Sequence, residues 1–410
     1  MRVVLDAQLT AGGKYGGVEQ FVMALVHALG KLEDGVEEYR IVVHPHNADW
    51  LKPYLGRNQQ LVVAPLNRLD AIKSHLGPLR KPAGKLLRRT RRALANTVPD
   101  SNGFYETLGA QVVHFPYQAF VHCQLPVVFN PHDLQHRHYP QFFPTEEVAE
   151  REALYGAGCR EARAVVTDSR WVKNDVARQY SVPPQKIFAI PMGAPTELYA
   201  AITPERLDAV AHRFQLSQPF ALYPAQTWEH KNHLRLLEAM ALLRERDGSV
   251  VDLICTGKQN NFWHALETRR HALGLDAHAR FLGFVEPLEL RALYHLAQFV
   301  ILPSLFEGGG LPVLEAFREE TPVACAAVTA LPEYAGDAAL LFDPLSVESI
   351  ADAWHRMGTD ADWRATLVRR GAQRVREFTW ERTARAYRAL YRQLAGQVLS
   401  TDEQRLLEND

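Results

Sequence analysis

The chain has 410 residues, more than one hydrophobic core comfortably serves, so two domains are expected; 47% apolar and 23% charged residues exclude a disordered or fibrous chain. Its formal charge of −1 gives no global attraction to nucleic acid or acidic surfaces, and no apolar run approaches the ~18 residues that span a bilayer. Met1 and Arg2 lead straight into strand-like VVLDA without a secretory apolar region, and Cys123, Cys159, Cys255 and Cys325 stand far apart with no CxxC, so a cytoplasmic chain with reduced thiols is expected.

Arg2 to Ala7 reads as a buried strand, after which Gly12, Gly13, Gly16 and Gly17 open an apolar-periodic helix from Val18 through Leu29. The loop is not GxGxxG, so it carries no dinucleotide signature, and a glycine turn serving only the chain path fits equally. Tyr39 to His44 and Gln60 to Ala64 continue as strands. Between Leu66 and Leu108 the alternation weakens. There Arg80 to Arg92 carries seven basic residues and no acid: Arg80, Lys81, Lys85, Arg88, Arg89, Arg91 and Arg92. With Leu79, Leu86, Leu87 and Leu94 interleaved, it fits a basic amphipathic helix on an anionic membrane surface; a solvated charged face fits as well, and RNA has little aromatic interleaving to support it.

Gln111 to Phe115 and Pro126 to Phe129 are short buried strands, and the second runs into NPHDLQHRHYPQFF. This sets His132, Asp133, His136 and His138 at a strand's carboxyl end, where α/β folds hold their ligands. Histidine spacings of four and two without a fourth ligand match no zinc pattern, so no metal is expected there. Ala164 to Asp168 leads through Ser169, a natural N-cap, into a helix. Lys186 to Pro191 then brings a first domain, 1–195, to its end. Residues 196–217 read as a linker with a short helix.

A second domain, 218–375, begins with the strand Phe220 to Pro224, and a helix starts near Asn232 with Lys231 just before it. Val251 to Gly257 and Phe281 to Phe284 are further strands. The stretch Phe299 to Pro322, FVILPSLFEGGGLPVLEAFREETP, reads strand, glycine loop, helix. Gly308, Gly309 and Gly310 free the backbone, and Pro312 sits where a helix begins without needing its N–H. Unpaired amides and a helix's positive end then face one spot, which suits an anion. Glu307 enters the loop and Glu315 lies in the first turn of the helix that leaves it. A carboxylate accepts two hydrogen bonds side by side, which suits vicinal hydroxyls, so acids on either side of a diphosphate pocket fit a nucleotide-sugar. An ordinary turn with two solvated acids is the competing reading.

After the loop come strands Pro322 to Ala327 and Ala339 to Phe342, then helices. Asp360, Ala361 and Asp362 spell a DxD, but between two helical segments and away from any glycine loop, so no metal is read from it. Arg376 to Val398 carries Trp380, Ala384, Tyr387, Tyr391, Leu394 and Val398 at helical spacing, an amphipathic, docked helix. Thr401 to Asp410 is polar and expected to fray. Strands alternating with helices in both halves imply two parallel sheets.

The glutamates and their glycine loop resemble the E-x7-E signature of retaining, metal-independent glycosyltransferases of the GT-B fold, family four. The resemblance implies two Rossmann-like domains facing a central cleft, the first binding acceptor, the second binding the nucleotide-sugar, and a C-terminal helix, 376–410, that crosses back to the first. By matching position, Glu307 contacts the donor sugar, the amides of Gly308, Gly309, Gly310 and Leu311 hold the diphosphate, and Glu315 holds the ribose. The GGVE loop implies Gly16 and Gly17 beside the phosphate, the HD pair implies His132 at the catalytic site, and FLGFV implies Val285 near the base. A histidine merely satisfied by a backbone partner is the other reading of His132. Lys231 supplies positive charge to the leaving diphosphate. The family's usual arginine six positions earlier is here Ala225, a departure for which Thr227 or His230 is the candidate compensation.

No cofactor is implied. Hexose transfer to a glycan or lipid-linked glycan in bacterial surface polysaccharide synthesis is expected, from GDP-mannose in preference to a UDP-hexose, with peripheral membrane contact through Arg80 to Arg92 as a further expectation. A GT-B sugar-nucleotide epimerase and a non-catalytic nucleotide-sugar-binding protein are the alternatives.

Overall fold

The computed structural model describes residues 1–9, 16–65, 98–194, 199–248 and 250–408. Arg80 to Arg92, and with it the expected membrane contact, lies outside the described residues, as do Gly12 and Gly13. The chain divides into two compact units, Met1–Pro191 with Trp380–Asp410, and Met192–Thr379.

Among the described residues the first unit holds a seven-stranded sheet of order β3-β2-β1-β4-β5-β6-β7. Its strands are β1 Arg2–Asp6, β2 Glu38–Val43, β3 Gln59–Val63, β4 Val112–Phe115, β5 Val127–Phe129, β6 Ala164–Thr167 and β7 Ile187–Ala189, and every pairing is parallel. All four residues of β4 and of β6 are buried. A parallel sheet covered on both faces excludes water from both, which is why these strands read as continuous apolar runs. Helices α1 Gly17–Gly30, α2 Thr145–Glu161 and α3 Arg170–Tyr180 are the longer crossovers, and Ser169 caps α3 by accepting from the Val172 amide at 3.2 Å.

Among the described residues the second unit has a six-stranded parallel sheet of order β10-β9-β8-β11-β12-β13, from β8 Phe220–Pro224, β9 Asp252–Thr256, β10 Ala279–Phe281, β11 Phe299–Leu302, β12 Val323–Ala326 and β13 Ala339–Phe342. β10 ends at Phe281, before the expected Phe284, because Gly283 turns the backbone left-handed at φ 71°. Its helices are α4 Pro204–Arg213, α5 His233–Asp247, α6 Trp263–Ala272, α7 Pro287–Leu296, α8 Leu311–Arg318, α9 Leu331–Ala335, α10 Val347–Thr359 and α11 Ala361–Arg374. The described part of the expected linker is packed into this unit: Arg213 pairs with Glu289 of α7, and Arg291 donates to the Ala200 carbonyl at 2.6 Å. Asp360 caps α11 by accepting from the Trp363 amide at 2.9 Å, so the DxD does a helix-starting task.

The terminal helix α12 spans Trp380–Leu394 and packs on the first unit. It is shorter at both ends than the expected Arg376 to Val398. Val375–Glu377 is a 3-10 turn, Gly396 stops the helix at φ 76°, and Val398 is 96% exposed. A buried relay holds it. Asn130 donates through Nδ2 to Tyr387 at 2.7 Å and accepts from His114 Nε2 at 2.8 Å, so His114 Nδ1 must accept from the Tyr391 hydroxyl at 2.7 Å. The tail does not fray as expected but forms α13, Thr401–Leu407. Ser400 and Glu403 make a capping box, and Glu403 accepts from Arg392 of α12 at 2.5 Å.

Candidate functional site

Each sheet has a switch point, where successive connections leave in opposite directions. There the strand carboxyl ends leave a crevice that nothing in the sheet fills. In the second unit it lies between β8 and β11, and both of their loops carry predicted residues. The Leu305 amide donates to the His230 carbonyl at 2.8 Å, stitching the β8 loop to the β11 loop. Tyr223, 1% exposed, donates to the Lys231 carbonyl at 2.7 Å. Together these bring Lys231 to Glu307: Nζ stands 2.7 Å from Oε1, with the two side chains 19% and 17% exposed.

Glu307 is held from behind as well. Its amide donates to Thr329 Oγ1 at 3.0 Å, and Thr329, a β-branched residue, sits at φ 50°. Left-handed backbone is sterically costly for such a side chain and is tolerated where the surroundings impose it. Beyond Glu307, Gly308 and Gly309 remain partly exposed, whereas Gly310 is buried and serves as N-cap of α8. Leu311 and Pro312 are the first two helical residues, so the amides at this end have no intrahelical acceptor. A Cβ on Gly310 would stand 2.3 Å from Tyr334 Cγ, so glycine is required here by close approach.

Glu315 lies one turn further into α8 than expected, as its fifth residue, and the first turn holds no acid. Its Oε2 accepts from the Tyr294 hydroxyl at 2.6 Å. Desolvation pushes this carboxyl up to about 7, the tyrosine hydrogen bond pulling against that rise and the Glu319 charge adding to it. Val285 is buried beyond the end of β10, followed by a capping box of Glu286 and Glu289 at the start of α7. Neighbouring Phe284 is 59% exposed.

Ala225 is 9% exposed and packed in this unit's core. Neither expected compensation supplies a charge. Thr227 donates its hydroxyl to Asn260 Oδ1 at 3.0 Å and accepts from the Asn260 amide at 2.9 Å. Burial, with the Lys231 charge adding to it, pushes the His230 imidazole down to about 2, so it is neutral.

In the first unit, Gly16 caps α1 at φ 54°, ψ −126°, a region open essentially to glycine alone, and Gly17 begins the helix. One turn on, the Phe21 ring meets the His132 ring edge-on at 5.0 Å, so the glycine corner and the histidine adjoin. His132 follows β5 at φ 61°. Its Nδ1 stands 2.9 Å from Asp168 Oδ2 and its Nε2 3.0 Å from the Pro116 carbonyl. Both neighbours only accept, so both nitrogens are placed to donate, as in an imidazolium. Burial acts to lower its pKa, but the Asp168 carboxylate outweighs burial and the net direction is upward. The other histidines of the run turn to separate acids, His136 to Glu152 at 3.0 Å and His138 to Asp175 at 2.7 Å. Among the described residues no group of three or more His, Cys, Asp or Glu is arranged to hold a metal, and no helix is long and apolar enough to cross a membrane.

Sequence reading missed Thr329, Tyr294 and Asp168. Asp168 was visible only as the end of a strand, and nothing local marks Thr329 or Tyr294 as partners of the two glutamates.

The fold has known counterparts. The structure of Anabaena Alr3699/HepE in complex with UDP and glucose matches with a TM-score of 0.68 at 16% identity, covering 95% of this chain and 99% of that one. This is a likeness of fold: two parallel-sheet units of the GT-B architecture. Residues 206–374 match the family model described as Glycosyl transferases group 1, and residues 15–198 that of Glycosyltransferase Family 4. The chain belongs to this family of sugar transferases, glycosyltransferase family 4 of the group 1 type. Among curated relatives, O-antigen chain mannosyltransferase B of Escherichia coli is 29% identical over 68% of this chain and 74% of its own length. D-inositol 3-phosphate glycosyltransferase of Corynebacterium aurimucosum is 30% identical over 56% of each.

Proposed function

We propose that the chain moves a hexose, with mannose favoured, from a nucleotide-sugar to a hydroxyl of a glycan or lipid-linked glycan acceptor in surface polysaccharide synthesis. The observation that carries this reading is the Lys231–Glu307 contact at the β8/β11 switch point, beside the amide-bearing start of α8. The name of the Escherichia coli mannosyltransferase supports mannose, and GDP-mannose in preference to a UDP-hexose is the donor proposed with it.

Transfer proceeds with retention and without a required metal. The acceptor oxygen bonds to the anomeric carbon on the face from which the phosphate oxygen leaves, and the acceptor proton passes to that departing oxygen. Negative charge grows on the diphosphate. Lys231 and the amides from Gly308 to Leu311 stabilise it, as fixed donors that need no reorganisation when the charge develops. Glu307 accepts from sugar hydroxyls and Glu315 from the ribose. Gly16 and Gly17 leave room for phosphate, and the main chain at Val285 reads the base. His132 orients the pyranose by exchanging the Pro116 carbonyl on Nε2 for a sugar hydroxyl. The enzyme works in the cytoplasm, peripherally at the inner membrane face.

The test is a panel of GDP- and UDP-sugars, read first as thermal shift and then as transfer to glycan acceptors, with the anomeric configuration of the product read by NMR. GDP-mannose should stabilise the protein most and give a retained linkage. Equal indifference to every donor, or turnover of a UDP-sugar without acceptor, sinks the reading.

A further inference from the structure

Among the described residues the Glu315 side chain has one hydrogen-bond partner, Tyr294. The Tyr294 hydroxyl donates to Oε2 at 2.6 Å, which leaves Oε1 with its acceptor capacity unspent by that contact. Tyr294 is 1% exposed on α7, one strand removed in sequence from the helix that carries Glu315. Its own backbone is pinned, since Thr321 donates its hydroxyl to the Tyr294 carbonyl at 2.7 Å. A buried phenol anchored in this way has a single use for its proton, and burial with the nearby Glu315 charge keeps it protonated and therefore a donor.

We propose that Tyr294 is a positioning residue for donor binding: it locks one oxygen of Glu315 so that the carboxylate presents its other oxygen, as an anion, to the vicinal hydroxyls of the donor's ribose. The inference rests on the reading of Glu315 as the ribose ligand and adds what keeps that glutamate competent. A side chain with three rotatable bonds otherwise samples several rotamers, and only some of them face the ligand. The charge state matters as much. With Oε2 engaged by Tyr294, the proton of the acid form falls on Oε1 and makes it a donor, whereas the ionised form keeps Oε1 an acceptor for both hydroxyls.

The groups that act on Glu315 are Tyr294 from α7 and Glu319 from its own helix, and Glu319 is in turn paired with Arg291 of α7 at 2.7 Å. Arg291 therefore does not serve Glu315. Tyr294 is the one of these that favours the ionised form, and it does so against burial, which holds the carboxyl up at about 7. Without that hydrogen bond the carboxyl rises further, and the acid form outweighs the ionised form at neutral pH.

The experiment is steady-state transfer by the full chain with GDP-mannose varied from pH 5.5 to 8.5, for the wild type, Tyr294→Phe and Glu315→Ala, and with a 2′-deoxyribose donor beside the ribose donor. In Tyr294→Phe the donor KM should rise about tenfold, the range for a lost hydrogen bond to a charged group, with kcat little changed. The acid limb of kcat/KM should move to higher pH, and preference for the ribose over the deoxyribose donor should fall. A purely structural tyrosine moves the melting temperature but neither the limb nor the preference. If Glu315→Ala leaves the donor KM unchanged, the ribose reading of Glu315 fails. If Glu315→Ala raises KM while Tyr294→Phe leaves KM, limb and preference as in the wild type, the positioning role is overturned and the ribose reading stands. Should Tyr294→Phe not fold, wild-type binding of GDP is measured over the same pH range; binding that is flat from pH 6 to 8 overturns the proposal.

Discussion

Gly310→Ala is the sharpest perturbation of the glycine corner. The added Cβ would stand 2.3 Å from Tyr334 Cγ and 2.5 Å from Tyr334 Cβ. These atoms lie next to the Tyr334 backbone, so no rotamer change removes the clash. Tyr334 is 1% exposed, its ring is stacked on Phe378 with centroids 5.2 Å apart, and its carbonyl accepts from Arg374 Nε at 3.3 Å. Relief requires a shift of about 1 Å in packed surroundings, and overpacking of that kind costs about 1–3 kcal/mol. For a unit of this size, about 2 kcal/mol lowers the melting temperature by about 4–8 °C. The shift is read by differential scanning calorimetry of the full chain. Gly274→Ala is the control: Gly274 sits at φ 63° with nothing within 4 Å, so it should cost only backbone strain, about 1 kcal/mol. The same displacement moves the Leu311 amide, and donor turnover should fall with stability. A Gly310→Ala protein that melts within ~1 °C of the wild type, or no lower than Gly274→Ala, refutes the close-packing account.

Lys231→Ala leaves the mostly buried Glu307 unpaired, at a stability loss of about 1–3 kcal/mol, and should lower transfer about 10²–10³-fold; the Lys231→Met, Glu307→Gln pair should regain stability without activity, and single-variant transfer within tenfold of wild type would contradict the phosphate role. His114 gives a pH signature. Burial holds its imidazole down at about 3 against an ordinary 6.5, so the unfolded chain gains a proton that the folded one refuses, and stability is lost as pH falls from about 6.5 towards 3. At pH 5 the loss is about 2 kcal/mol, and a His114→Gln chain, which keeps polar contact with Asn130 and Tyr391, should show a correspondingly shallower fall in melting temperature between pH 7 and 5. Ser400→Ala removes the cap of α13 and should cost about 1 kcal/mol, seen as faster hydrogen exchange of amides 401–407; unchanged exchange would mean that the Arg392–Glu403 pair alone holds the helix.

The local units of this protein are legible in its sequence because their physics is local. Strands such as Phe299–Leu302 are buried throughout, so each is a continuous apolar run closed by a loop, and Gly16 and Gly310 stand where a left-handed turn or a close approach admits no Cβ. Where local patterns misled, a capping or stopping residue intervened: Gly283 ended β10, Gly396 ended α12, and Ser400 with Glu403 built a helix from a polar tail. Glu315 falls just outside the first turn because the helix already begins at Leu311, one residue before Pro312 and directly after Gly310.

What the sequence by itself determined was therefore the kind of element at each place and the presence of two acids beside a glycine corner. Their partners were decided by tertiary structure. Lys231 reaches Glu307 across 76 positions because β8 and β11 are neighbours at a switch point, Tyr294 reaches Glu315 because α7 lies against α8, and His132 reaches Asp168 from the end of another strand. The physical reason is one of range: caps, turns and apolar periodicity act within a few residues, whereas a charge finds its counter-charge only after the order of strands has set which loops share a sheet edge.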